Sequence, residues 1–148
     1  SDVHNKATLQ VHCEPEVYVM GDGAALAQVV LNLLVNAANA IEAGAPAENR
    51  VGLEVRAENG EAVLRVEDTG CGIDSELLGR IFDPMFTTRG ERGGTGLGLC
   101  IVRRIVERHQ GRVQVDSTPG EGTAFTVALP AAQPPASRDE EKRQTGAA

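Results

Sequence analysis

VGLEVRAENGEAVLRVED, residues 51 to 68, alternates apolar and polar residues on either side of Asn59-Gly60. Asn-Gly between two alternating runs predicts a β-hairpin, because the two-residue turn that matches strand twist needs positive φ at both central positions. Upstream, GDGAALAQVVLNLLVNAANAIEAG places Asp22 as a helix N-cap and Gly44 as a C-cap glycine. Leu26, Val29, Val30, Leu33 and Ala37 recur between them at helical spacing. Before that helix, ATLQVHCEPEVYVM, residues 7 to 20, predicts two short strands broken around Glu14 and Pro15. The alternation Leu9, Val11, Cys13 suits a half-buried strand. AGAPAEN, 43 to 49, reads as a loop.

Downstream, DTGCGI, 68 to 73, leaves the hairpin as a glycine-rich turn. A short helix is expected at Asp74 to Arg80, then an irregular segment, IFDPMFTTRGERGGTG, then a helix from about Gly96 to His109. GRVQVDS and GTAFTVALP form a last strand pair around STPGEG. From Pro130 the composition shifts to Pro, Ala, Gln and charge, so residues 1–130 are expected to form one domain and 131–148 a disordered tail or linker. The order of elements gives an α/β fold: a two-layer α/β sandwich, its sheet mixed but mostly antiparallel, with helices on one face.

The 148 residues are enough for one real core, and that core must be aliphatic, since aromatics are 3% and Trp is absent. A net charge of -7 and the lack of aromatic stacking platforms argue against a nucleic-acid binder. No apolar run approaches a membrane span, and no signal peptide opens the chain. Cys13, Cys71 and Cys100 form no CxxC pair. Each reads as a small, mostly buried apolar residue in a reduced, cytoplasmic compartment.

Three segments carry chemistry. In the long helix, Gln28, Asn32, Asn36 and Asn39 share one face. Asn is a poor helix-interior residue, so the stripe is either a solvated face or a surface of amide oxygens suited to Mg²⁺. In DTGCGI, Asp68 at a strand end is either a turn aspartate or an acceptor for an exocyclic amine, with Gly70 and Gly72 letting the backbone pass close to a flat ring. RGERGGTGLGLCIV, 89 to 102, is either a hinge or a phosphate-binding loop that ends at a helix N-terminus. It lacks the third glycine and preceding strand of a dinucleotide fingerprint, and the Gly-Lys-Ser/Thr of a P-loop. Arg89 and Arg92 lie within reach of a phosphate there.

NLLVNAANA, DTGCGI, IFDPMFTTR and GGTGLGLCIV stand in one order and are closed by STPGEGTAFTVALP. Together they resemble the catalytic, ATP-binding domain of bacterial sensor histidine kinases, in the superfamily shared with gyrase, mismatch-repair ATPases and a heat-shock chaperone. The resemblance covers roughly residues 5 to 130, and its wording is most similar to the nitrogen-regulation type. It implies the Bergerat-type ATP-binding fold with a flexible ATP lid, and ATP and Mg²⁺ as ligands. Asn36 matches the Mg²⁺-coordinating residue, with Asn32 one turn before it. Asp68 matches the aspartate that reads the adenine amine, with Gly70, Gly72 and Ile73 beside the base and Thr123 near both. Phe82 and Phe86 fall in the F box. Thr87, Thr88, Arg89, Gly94, Thr95, Gly96, Leu97 and Gly98 match the lid and the lid-to-helix turn at the phosphates. Asn39 stands where many relatives carry a basic residue, and Arg89 where this type has Lys; Arg89, with Arg92 as the alternative, is then the phosphate-contacting cation. Asn36 and Arg89 are the catalytic candidates.

The phosphoacceptor histidine is expected outside this chain. His12 sits in a strand signal, His109 at a helix end where it caps or favours the dipole, and His4 in the lead-in. The implied function is transfer of the γ-phosphoryl of Mg·ATP to a histidine on a separate dimerisation domain, with a response regulator downstream. The domain itself would be monomeric and cytoplasmic, and free of direct membrane contact. An anti-sigma-type serine kinase and a non-catalytic nucleotide-binding module are the alternatives. A gyrase-like ATPase is disfavoured, because the helix body offers no Glu near Asn36.

Overall fold

A computed structural model describes residues 7–41, 48–86, 98–135 and 146. Five strands, β1 (Thr8–Cys13), β2 (Arg50–Glu58), β3 (Glu61–Asp68), β4 (Arg112–Thr118) and β5 (Gly122–Pro130), form one sheet in the order β1-β2-β3-β5-β4. β1 runs parallel to β2 and the other neighbours are antiparallel. Helix α1 (Gly23–Ala40) packs on β2, β3 and β5 and against α2 (Gly98–Arg108), which also packs on β4. This is the mixed-sheet α/β sandwich expected from the sequence.

The hairpin forms as its turn chemistry dictates. Asn59 and Gly60 take φ of 51° and 78°, and Glu58 faces Glu61 across the turn. Its alternation fixes which face is buried. Leu53, Val66 and Phe125 share a cross-strand row, and on that face Val51, Val66, Phe125 and Val127 meet Val29 and Leu33 of α1 and Val102 and Val106 of α2. The core is aliphatic around one phenylalanine, as the composition requires.

Several expectations are corrected. The segment 7–20 holds one strand, not two; its second half reduces to a single bridge between Tyr18 and Ala132. β1 is exposed along its whole length, with Leu9 and Val11 at 47% and 57% exposure. Its alternation is in register with the buried row, since Leu9 pairs with Val51, but the two helices among the described residues do not reach over the edge strand. Residues 74–86 form no helix. They make successive turns, Leu77 N–H to Asp74 O, Arg80 N–H to Leu77 O, Asp83 N–H to Arg80 O and Phe86 N–H to Asp83 O. α1 stops at Ile41, whose N–H reaches Ala38 O at 3.4 Å, ahead of Gly44, which lies outside the described residues. No cysteine is buried; Cys13 and Cys71 are exposed and Cys100 is half-buried, because they sit on an edge strand, a loop and a helix flank. α1 itself, 18 residues without a charged side chain and with mean hydropathy 1.3, does reach the length and apolarity of a membrane span. Its asparagine stripe and its buried Val29, Leu33 and Ala37 make it a core helix here.

His109 does more than cap α2. The Asp22 N–H donates to its Nε2 at 3.1 Å, so the ring proton is on Nδ1, which donates to Ile105 O at 2.8 Å. Asp22 in turn caps α1, accepting from the N–H groups of Ala24 and Ala25 at 3.0 and 3.3 Å. One imidazole therefore ties the start of α1 to the end of α2. His109→Ala is expected to lower stability by about 1–2 kcal/mol, read from the urea midpoint. An unchanged midpoint would show that the tie contributes nothing.

After Pro130 the chain stays attached for two more residues. Ala131 N–H donates to Gly60 O at 3.0 Å, and Ala132 N–H to Tyr18 O at 2.7 Å. Residues 136–145, where most of the expected tail falls, lie outside the described residues.

Candidate functional site

The candidate residues gather at one end of the sheet. Val51, Asp68, Thr123 and Ser117 form a cross-strand row. Asp68 and Thr123 are the buried polar residues among those described, each 5% exposed. Asp68 Oδ1 accepts the Gly70 N–H at 2.8 Å, which folds the chain sharply as it leaves β3.

The loop that follows is held by backbone on three sides. Thr69 N–H donates to Arg50 O at 3.1 Å, Cys71 N–H to Ala40 O at the end of α1 at 3.0 Å, and Gly120 N–H to Cys71 O at 2.8 Å. The glycines make that packing possible. A Cβ on Gly70 would lie 2.4 Å from Ala40 O, and one on Gly72, at φ +72°, 2.3 Å from Thr118 O. On the Cβ side of both glycines lie the protein's own carbonyls, which only a residue without a Cβ can approach so closely.

Three hydrogen bonds escape any spacing rule. Ile73 N–H donates to Ser117 Oγ at 2.7 Å, Ser117 Oγ donates to Gly122 O at 3.1 Å, and the Ser117 and Thr123 hydroxyls meet at 2.8 Å. Ser117 joins this candidate cluster, and no sequence signal singles it out. As the serine of the STPGEG turn it reads as turn chemistry.

On α1, Asn32 Nδ2 donates to Gly98 O, the first residue of α2, at 3.3 Å. The stripe thus links the two helices at the start of α2, whose first turn carries no acidic residue to repel an anion. Asn36 is half-buried one turn on, and Gln28 and Asn39 are exposed. Thr87, Thr88, Arg89, Arg92, Gly94, Thr95, Gly96 and Leu97 lie outside the described residues.

The F box is anchored by its aromatics. Phe82 meets Phe125 edge-on at 6.3 Å, with the Arg103 guanidinium 5.9 Å from its ring centroid, and Arg80 lies 5.1 Å from that of Phe86. Both phenylalanines pack against the core. Met85 in the same box is exposed, at 69%, whereas its neighbour Phe86 folds back on the core. A depression of about 190 Å³ over Gly52, walled by Gln10, His12, Glu54, Arg65 and Glu67, lies away from this cluster, and Arg65 and Glu67 already pair at 2.5 Å.

The family model for histidine kinase-, DNA gyrase B- and HSP90-like ATPases matches residues 21–133. The signal transduction histidine-protein kinase AtoS of Escherichia coli is 42% identical over 113 residues, 76% of this chain and 18% of that protein. Among solved structures, the mycobacterial sensor histidine kinase MprB is 33% identical with a TM-score of 0.73, over 87% of this chain and 84% of that one. Full-length ShkA in complex with AMPPNP is 31% identical with a TM-score of 0.74, over 91% of this chain and 28% of that one. The chain spans 17–18% of the length of AtoS and of two other curated sensor proteins that it matches.

Proposed function

The chain belongs to the family of histidine kinase-, DNA gyrase B- and HSP90-like ATPases, as a catalytic ATP-binding domain of the sensor histidine kinase type, and we propose that it binds Mg·ATP and donates the γ-phosphoryl to a histidine on a separate dimerisation domain. The observation that carries this is the convergence of the motif residues. Asp68, Thr123 and the glycine-packed loop meet at the end of α1, whose Asn32 is tied to the first residue of α2. A buried carboxylate at one end and a helix N-terminus at the other suit a ligand with an amine-bearing ring and phosphates.

In this reading Asp68 takes the adenine amine, and the α2 N-terminus with Gly96 and Gly98 takes the phosphates. Arg89 or Arg92 neutralises the γ-phosphate. Mg²⁺ fits the donor set. Among the described residues no group of three His, Cys, Asp or Glu side chains could cage a metal, and Mg²⁺ is commonly held by one or two protein ligands together with waters and phosphate oxygens. Asn36 would be that ligand, and the ion, when bound, neutralises phosphate charge. The chain's own contribution is positioning and electrostatic stabilisation. The bond from the γ-phosphorus to its bridging oxygen breaks, a bond to an imidazole nitrogen forms, and ADP leaves. Exposed Met85 supports docking of the F box on the dimerisation domain. The parent is proposed to act from the cytoplasm on a response regulator.

Mixing this chain with labelled ATP, Mg²⁺ and the isolated dimerisation domain of its parent is expected to label that domain. No labelling at any ratio of the two would overturn the kinase reading. In the same protein, Asn36→Ala is expected to remove the roughly tenfold gain in ATP affinity that Mg²⁺ gives the wild type. A variant that keeps the full gain would take Asn36 out of the metal's coordination.

A further inference from the structure

Ser117 sits where the Asp68 loop, β4 and β5 meet, and its hydroxyl makes three contacts. It accepts from Ile73 N–H, donates to Gly122 O and touches Thr123 Oγ1. A serine hydroxyl has one proton. With that proton on Gly122 O, the 2.8 Å contact to Thr123 is a hydrogen bond only if Thr123 is the donor. The threonine proton is then committed inside the protein. Toward everything else Thr123 Oγ1 offers lone pairs alone. Its cross-strand neighbour Asp68 is a carboxylate and also accepts, with Oδ1 taking Gly70 N–H. The two buried polar side chains therefore present acceptors side by side.

We propose that Ser117 is a specificity-determining positioning residue: by holding the Thr123 proton it makes the Asp68–Thr123 pair an acceptor-only surface that selects a 6-amino purine over a 6-oxo purine. The proposal rests on the nucleotide reading above. An amino group meets that surface with N–H donors, whereas a 6-oxo group meets it oxygen to oxygen. Remove the serine hydroxyl and Thr123 regains a free proton. It can then turn that proton to a 6-oxo group, and the discrimination weakens although Asp68 is untouched. Ser117 acts here through Thr123, and it touches no ligand itself.

The test compares ATP with inosine triphosphate, which carries oxygen in place of the amine, by calorimetric titration of the whole chain. Wild type is expected to favour ATP. In Ser117→Ala the ratio of the two affinities is expected to fall about tenfold, mainly because inosine triphosphate binds better. Ser117→Thr, which restores a hydroxyl, is expected to recover the wild-type ratio. In the protein without nucleotide, the Ile73 amide should exchange faster with solvent in Ser117→Ala and return to wild-type exchange in Ser117→Thr. Ser117→Cys fills the same volume with a far weaker hydrogen-bonding group, so it must lower the ratio too should the alanine variant lose its fold. If both nucleotides weaken equally and the ratio holds, Ser117 merely anchors the loop and the proposal is overturned alone. If wild type binds neither nucleotide, the nucleotide reading fails and this proposal with it.

Discussion

Asp68→Asn is expected to lower ATP affinity about 100-fold while the far-ultraviolet spectrum and the unfolding midpoint stay close to wild type. The substitution keeps the size of the side chain and one oxygen able to accept the Gly70 N–H, so the turn that leaves β3 survives. It exchanges the second carboxylate oxygen for an amide N–H₂. An amine brought to that position then loses a hydrogen bond to a charged group, worth about 1.5–3 kcal/mol, and meets a donor instead of an acceptor. A tenfold change corresponds to about 1.4 kcal/mol, so roughly two decades of affinity are at stake. Because Asp68 is 5% exposed, solvent cannot substitute for the lost acceptor. Titration of ATP into the variant decides the matter. An affinity within about threefold of wild type would remove Asp68 from the site, and a variant that unfolds would make it a fold residue first.

Much of this architecture is legible in the sequence because it is local. The hairpin is specified by Asn59 and Gly60, which alone supply the two positive φ values its turn needs. The start of α1 is specified by Asp22, which caps it as read. The asparagine stripe is legible as a face, and Asn32 does reach across to α2. What could not be read is what lies far apart in the chain. His109 finds its partner 87 residues away at Asp22. Ser117 finds Ile73 at a separation of 44, and its position in a turn-like segment hides it. The bare edge of β1 is illegible for a different reason. Alternation reports which face a residue occupies, whereas burial depends on how far the helices extend over that face, and α1 and α2 leave Leu9 and Val11 exposed. The Asp74–Arg80 helix failed because the segment offers several i to i+3 turns and no sustained apolar stripe.

Gly122→Ala is expected to destabilise the protein by roughly 3 kcal/mol or more, the largest effect of any single methyl addition in the sheet. Gly122 opens β5 at φ +135°, a conformation L side chains rarely adopt, and a Cβ there would stand 2.0 Å from the Asp68 carbonyl oxygen. That obstacle is backbone, and it belongs to the residue that ends β3, so relief by a side-chain rotation is unavailable. The strands must separate at the Asp68–Thr123 pair, which also pulls Gly122 O away from the Ser117 hydroxyl. Gly52, near the start of β2, is the control. A Cβ there meets nothing within 4 Å and its φ is ordinary. Gly52→Ala should therefore be neutral or stabilising by about 0.5–1 kcal/mol, since it only reduces the freedom of the unfolded chain. Urea unfolding of the two variants separates the causes. Equal shifts would mean that glycine content, and not close approach at the site, sets the cost. A loss confined to Gly122→Ala would mean that the backbone contact bracing Asp68 is itself part of the fold, so that the candidate nucleotide site cannot be loosened without loosening the sheet. ATP affinity measured on that variant at low temperature, where it is still folded, should then fall along with its stability, whereas Gly52→Ala should bind as wild type does.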